Sequence, residues 1–72
     1  MRSTELLAIL MRQPLSYEIA RQRGSHRHLR SSAGYPDLLF AWHDGVTLPP
    51  GLVRKVLVKD VGLSIEEALK LI

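Results

Sequence analysis

The chain has 72 residues, a formal net charge of +3 and a sequence pI near 9.8, so we expect one domain over residues 1–72, with a small core and an anionic partner. The absence of cysteine excludes a disulfide framework and a thiolate metal site. No apolar run approaches the roughly 20 residues of a membrane span, and the first residues do not resemble a signal peptide, so we expect a cytoplasmic protein without membrane contact.

The first predicted element is a helix of about nine or ten residues. Ser3 or Thr4 is expected to cap it, and Pro14 ends the pattern. Its apolar stripe consists of Leu6, Leu7, Leu10 and Met11.

Three strands are predicted next. Residues 15–22 alternate between apolar and polar side chains, which is typical of a half-buried strand. A tight turn at Arg23-Gly24 leads into a second strand over residues 25–31, and a turn-rich segment precedes a third strand over residues 38–43. Short connections of this kind predict an antiparallel meander.

A second helix is expected after Pro49 and Pro50, with Gly62 as its left-handed C-cap. Its buried stripe is Leu52, Val53, Val56, Leu57 and Val61. Ser64 and Glu67 form a capping box for a short last helix, whose apolar side chains are Ile65, Ala68, Leu69 and Ile72. The predicted fold class is therefore α+β, in the order α-β-β-β-α. Helices cover one face of a three-stranded antiparallel sheet, a short extra helix follows, and the other face of the sheet stays open.

Residues 21–30 hold four arginines, two histidines and no acidic residue, so they carry a charge of +4, whereas the other 62 residues, with six basic and seven acidic side chains, sum to −1. Such clustering is typical of a phosphate-binding surface. Alternation places His26, His28 and Arg30 on one side of the second strand and Arg27, Leu29 and Ser31 on the other. Leu29 favours the core, which turns the histidines outward. In the third strand Leu38, Phe40 and Trp42 are expected inward and Leu39, Ala41 and His43 outward, so His26 and His43 could share one surface.

Several interpretations of these residues remain open. His26 could be an ordinary surface histidine, and the arginines could simply face solvent. A metal site made of His26, His28 and His43 is disfavoured, because the surrounding arginines repel cations. A third interpretation is acid–base chemistry on a phosphodiester, for which imidazole has a suitable pKa. Tyr17 and Trp42 could stack on bases, but such residues are more often core in a domain this small.

At this point the sequence resembles a known family, the HicA-type (YcfA-like) mRNA interferases, which are the toxins of HicAB toxin–antitoxin systems. The resemblance covers nearly the whole chain in order and spacing. It is carried by Arg21-Gln22-Arg23-Gly24-Ser25-His26-Arg27, by His43-Asp44-Gly45, by Leu48-Pro49-Pro50-Gly51-Leu52-Val53-Arg54-Lys55-Val56-Leu57, and by Asp60-Val61-Gly62-Leu63-Ser64.

The resemblance implies a fold like that of double-stranded-RNA-binding domains and ribosome-independent cleavage of mRNA. It also implies an antitoxin partner, HicB, that covers the active face. The family's catalytic histidine falls on His26, and its glycine and serine fall on Gly24 and Ser25, where they shape the preceding turn.

The resulting hypothesis is a metal-independent mRNA endonuclease with His26 as general base or acid and His28 as a possible second proton carrier. The predicted RNA contacts are Arg21, Arg23, Gly24, Ser25, Arg27, His28, Arg30, His43, Lys55 and Lys59. Two alternatives stay open: a non-catalytic RNA-binding module of the same fold, and a protein-interaction domain whose basic strand meets an acidic partner.

Overall fold

The computed structural model describes residues 1–72 and confirms the predicted α+β class and element order. Helix α1 spans Ser3–Met11, and strands β1, β2 and β3 span Tyr17–Arg23, His26–Ser31 and Leu38–Phe40. Helix α2 spans Pro50–Lys55 and continues as a π-helical turn, Val56–Asp60, before the last helix, α3, at Ile65–Leu71. The strands form one antiparallel sheet in the order β1-β2-β3. None of the helices has both the length and the apolar character needed to cross a membrane.

The start of α1 corrects the predicted cap at Ser3 or Thr4. Arg2 occupies the N-cap position, and its backbone N–H donates to a carboxylate oxygen of Glu5 at 3.0 Å. Ser3 is fully buried in the first turn, where its hydroxyl donates to the His43 carbonyl at 2.6 Å. The side chain therefore fixes α1 to the loop that follows β3, and it does not cap the helix. The helix ends at Met11, ahead of Pro14 as predicted.

The strand boundaries differ from the predicted ones in four places. Strand β1 begins at Tyr17 and ends at Arg23, β2 begins at His26, and β3 ends at Phe40, three residues before the predicted end. The turn between β1 and β2 consists of Gly24 and Ser25, where Arg23-Gly24 was expected, and Gly24 has a φ of +60°. A positive φ at a hairpin turn suits glycine, because it has no Cβ to clash.

A β-bulge at Ala20 changes the alternation of β1. Before it, Ile19 lies opposite Leu29; after it, Arg21 lies opposite His28, so the register shifts between Ile19 and Arg21. One extra residue in a strand moves every later side chain to the other face. Without the bulge, Arg21 would share the inner face with Ile19.

The core lies between one face of the sheet and the helices. The sheet contributes the buried side chains of Tyr17, Leu29, Leu38 and Phe40, and the helical segments contribute Leu6, Ile9, Leu10, Val53, Val56, Leu57 and Ala68. The predicted stripe of the second helix is confirmed, except that Leu52 is only half-buried. Gly62 has a φ of +93°, as predicted for a left-handed cap, and Leu63 after it is buried.

The last helix confirms the capping box but not the predicted stripe. The Ser64 hydroxyl accepts from the Glu67 backbone N–H at 3.1 Å, and the Glu67 carboxylate accepts from the Ser64 N–H at 3.1 Å. Ala68 is the only buried residue of α3, whereas Ile65, Leu69 and Ile72 are 59%, 59% and 60% exposed. The helix packs through the small Ala68 and the half-buried Leu71, and its three exposed apolar side chains lie outside this contact.

Candidate nucleic-acid interface

The face of the sheet away from the helices carries most of the predicted site. Side chains directly opposite each other on antiparallel strands point to the same face. The register pairs Arg21 with His28, Arg23 with His26 and Glu18 with Arg30, and it places Leu39 beside His28. All seven are exposed. We call this surface the open face: Glu18, Arg21, Arg23, His26, His28, Arg30 and Leu39. The prediction that His26, His28 and Arg30 share one face is confirmed.

The open face is strongly basic. Arg21, Arg23 and Arg30 form no salt bridge, since the three ion pairs of the chain involve other cationic residues. Glu18 is the one acidic residue among the seven, and it does not come within salt-bridge distance of Arg30 across the strands. Unpaired guanidinium groups on one surface can each donate hydrogen bonds to a phosphate oxygen without breaking an existing contact.

His26 is the first residue of β2 and follows the Gly24-Ser25 turn directly. Its ring makes no hydrogen bond to another group of the protein. The turn is held from one side by the Gln22 amide, which donates to the Gly24 carbonyl at 3.1 Å. Gly24 and Ser25 form the turn immediately before His26.

His28 has a partner that the sequence reasoning missed. Its Nε2 lies 3.3 Å from a carboxylate oxygen of Asp37, and both side chains are about half-exposed. Asp37 is the residue before β3, so the pairing of β2 with β3 brings it to His28. A carboxylate next to an imidazole nitrogen fixes the orientation of the ring. The sequence feature that could have predicted this contact is the acidic residue at the end of the turn before the third strand, Asp37.

Arg27 does not lie on the open face. It is opposite Phe40, on the side that faces the helices, and only 13% of its side chain is exposed. Its Nη2 donates to Asp44 at 3.0 Å, and its Nη1 is buried without a hydrogen-bond partner. The ion pair connects β2 to the loop after β3, so the structure gives Arg27 an internal partner where the sequence suggested a phosphate contact.

Three other predicted contacts also lie apart from the open face. His43 follows the end of β3, so it does not stand on a strand next to His26, and its carbonyl accepts from Ser3. Lys55 and Lys59 belong to the helical layer, and Lys55 is 3.9 Å from Asp60. No group of three or more histidine and acidic side chains stands close enough to hold a metal ion, so the three histidines do not converge on such a site.

Tyr17 and Trp42 belong to the core side of the molecule. The Tyr17 hydroxyl donates to the Pro36 carbonyl at 2.6 Å, and Trp42 packs edge to face on Phe40 with ring centroids 5.1 Å apart. Burial, together with the negative charge of Asp37 and the nearby Tyr35, raises the pKa of Tyr17 to about 12. Both rings are therefore occupied in packing, and neither forms a stacking platform on the open face.

The open face is also flat. The largest depression of the protein, about 440 Å³, lies along the edge of β3 and is lined by Leu38, Leu39, Trp42, Lys59 and Asp60 among others. Neither histidine of the open face and none of its arginines lines any of the five larger depressions. Small-molecule sites are concave, so this surface suits an extended ligand that lies across the strands.

Comparison with other proteins adds no assignment. No protein-family model matches the chain, no curated protein matches it, and no solved structure matches it. The fold and the open face are therefore the basis on which a function is proposed.

Proposed function

We propose that the protein is an endoribonuclease that binds single-stranded RNA across the open face and cleaves it with His26. The observation that carries the proposal is the arrangement of two exposed histidines among three unpaired arginines on one flat surface. Arginines position a phosphate and offset its charge, while a neutral imidazole can take a proton from a nearby hydroxyl.

The reaction uses the substrate's own nucleophile. A histidine takes the proton of a ribose 2′-hydroxyl, the 2′-oxygen forms a bond to the adjacent phosphorus, and the bond from phosphorus to the 5′-oxygen breaks. The leaving 5′-oxygen receives a proton from a second acid. The products are a 2′,3′-cyclic phosphate and a 5′-hydroxyl, so the balance requires neither water nor a metal in this step.

Two histidines allow a division of these roles. His26 and His28 are two residues apart on one strand and share the open face. His26 is unpartnered, whereas the ring of His28 is oriented by Asp37 at 3.3 Å. We assign His26 as the group that removes the 2′-hydroxyl proton and His28 as the proton donor to the leaving oxygen. Arg21 and Arg23, opposite these histidines, would hold the phosphate.

The resemblance to HicA-type mRNA interferases points to the same chemistry. It implies a toxin that acts on mRNA in the cytoplasm and an antitoxin of the HicB type that covers the active face. The α-β-β-β-α order agrees with the double-stranded-RNA-binding-domain-like fold that the resemblance implies. Toxicity on expression that the product of an adjacent gene relieves would support this part of the proposal.

The second candidate function is RNA binding without cleavage. It is favoured by the absence of any hydrogen bond that orients the His26 ring, since catalytic bases are usually held by a neighbouring group. Catalytic hydrogen bonds often form only in the substrate complex, so the unbound geometry is compatible with both functions.

The experiment that separates these functions is incubation of the purified protein with single-stranded RNA in EDTA. Wild type, His26→Ala and His28→Ala are compared, with DNA of the same sequence as the control. We expect cleavage of RNA only, a loss of about 10²–10⁴-fold for His26→Ala, and accumulation of cyclic phosphate ends. RNA binding without cleavage by the wild type would assign the second function, and full activity of His26→Ala would remove His26 from the mechanism.

A further inference from the structure

The last helix and its C-cap residue carry an apolar stripe that is about 60% exposed. Ile65, Leu69 and Ile72 are spaced by four and three residues, so they lie within about 60° of one another around the helix axis. The buried Ala68 lies to one side of this stripe, and Glu66 and Lys70 lie on the other. Single exposed apolar residues are common, but a row of three on one helix is typical of a contact surface.

The stripe borders two depressions between α3 and α2. One, of about 410 Å³, is lined by Gly51, Arg54, Lys55, Val58, Lys59 and Ile65. The other, of about 310 Å³, is lined by Met1, Pro50, Val53, Arg54, Leu69 and Ile72. Depressions of this size accommodate several side chains of a partner. Arg54 lines both, so the two depressions lie side by side along α2 and the π-helical turn, and we call them together the α2–α3 groove.

The charge of the groove indicates what it binds. Arg54, Lys55 and Lys59 are exposed along the side formed by α2 and the π-helical turn, and no acidic side chain lines either depression. Only Lys55 has an acidic neighbour, Asp60 at 3.9 Å. A second copy of this chain would bring the two sets of cations together, which opposes pairing. A nucleic acid would use the cations but would leave the apolar row in contact with solvent or phosphate.

We propose that the α2–α3 groove docks an acidic amphipathic helix of a partner protein. The apolar side chains of that helix contact Ile65, Leu69 and Ile72, and its carboxylates face Arg54, Lys55 and Lys59. This is the helix-in-groove mode of recognition, in which side chains three and four residues apart serve as anchors. The groove lies in the helical layer and the open face on the other side of the sheet, so docking here leaves the open face accessible. The inference does not depend on the proposed nuclease function.

The test uses a synthetic acidic amphipathic peptide with leucines three and four residues apart and glutamates on either side. A peptide with every glutamate replaced by lysine is the charge control. Binding to the full chain is measured by fluorescence anisotropy and mapped by amide chemical shifts in NMR. We expect the acidic peptide to shift residues of α2 and α3, and the lysine peptide to bind at least about tenfold more weakly.

Leu69→Gln and Leu39→Gln are a matched pair of variants, because these leucines are 59% and 62% exposed and Leu39 lies on strand β3 and lines neither depression of the groove. Leu69→Gln and Lys59→Glu should each weaken binding of the acidic peptide about tenfold, and Leu39→Gln should leave it unchanged. Circular dichroism and Trp42 fluorescence check that each variant folds. Equal binding of both peptides, chemical shifts confined to the sheet, or no binding at millimolar peptide would overturn the proposal. Dimerisation that Leu69→Gln abolishes would assign the groove to a second copy instead.

Discussion

The number of free arginines on the open face predicts how steeply RNA binding depends on salt. Arg21, Arg23 and Arg30 are unpaired there, whereas Arg27 is turned inward onto Asp44. Each phosphate contact to a single strand contributes about −0.7 to the slope of log K against log salt concentration. Three contacts give a slope of about −2, so raising salt from about 50 to about 200 mM should weaken binding about 20-fold.

Replacing one of these residues should remove one contact. We expect Arg21→Gln to reduce the slope to about −1.4, so that the same change in salt weakens binding only about sevenfold. Arg54→Gln is the matched control, because Arg54 is exposed and unpaired but lies in the helical layer. Its slope should stay near the wild-type value.

The assay is fluorescence anisotropy with labelled single-stranded RNA over a salt series. All proteins carry His26→Ala so that the RNA stays intact, and the pH is held near 8, where an ordinary histidine is uncharged. An Arg21→Gln protein with the full wild-type slope would refute the assignment of phosphate contacts to the open face. If Arg54→Gln reduced the slope as much as Arg21→Gln, RNA would contact the helical layer as well as the open face, and the assignment of RNA binding to the open face alone would be refuted.

Three further predictions concern stability. Because the folded-state pKa of Tyr17 is raised to about 12, folding favours the neutral phenol, and this stabilisation should be lost as pH rises from the ordinary value near 10 through 12. The full difference corresponds to about 2–3 kcal/mol, of which about 2 kcal/mol should be lost between pH 9 and pH 11.5. Urea unfolding at these two pH values should show this loss in the wild type but not in Tyr17→Phe, and an equal change in both proteins would contradict it. Leu29→Ala removes a fully buried side chain at the centre of the sheet and should lower the free energy of unfolding by about 2–5 kcal/mol, whereas Ile19→Ala, opposite it but 40% exposed, should cost clearly less. Ser64→Ala removes the cap of α3 and should lower the free energy of unfolding by about 1 kcal/mol, measured by thermal unfolding. Ser64→Thr should retain most of the stability, and an unchanged unfolding midpoint in Ser64→Ala would argue against the cap.

Local signals in the sequence determined the elements and part of the site. Alternation with Leu29 as the inward residue was sufficient to predict that His26 and His28 point outward, because successive side chains of a strand point to opposite faces. The glycine cap at Gly62 and the capping box from Ser64 to Glu67 were equally predictable, since each is complete within a few residues. The concentration of positive charge in residues 21–30 needs no structure at all.

The tertiary structure decided which of those charges act together. The bulge at Ala20 reverses the faces of β1 and brings Arg21 and Arg23 to the histidines, and the pairing of β2 with β3 brings Asp37 to His28. The ion pair with Asp44 holds Arg27 on the inner side of the sheet, apart from the arginines of the open face. These outcomes depend on contacts between residues distant in sequence, whereas periodicity reports only the geometry of one strand or helix. The same reason explains α3. Its apolar residues were predicted to be buried, but the helix packs through Ala68, and Ile65, Leu69 and Ile72 face solvent.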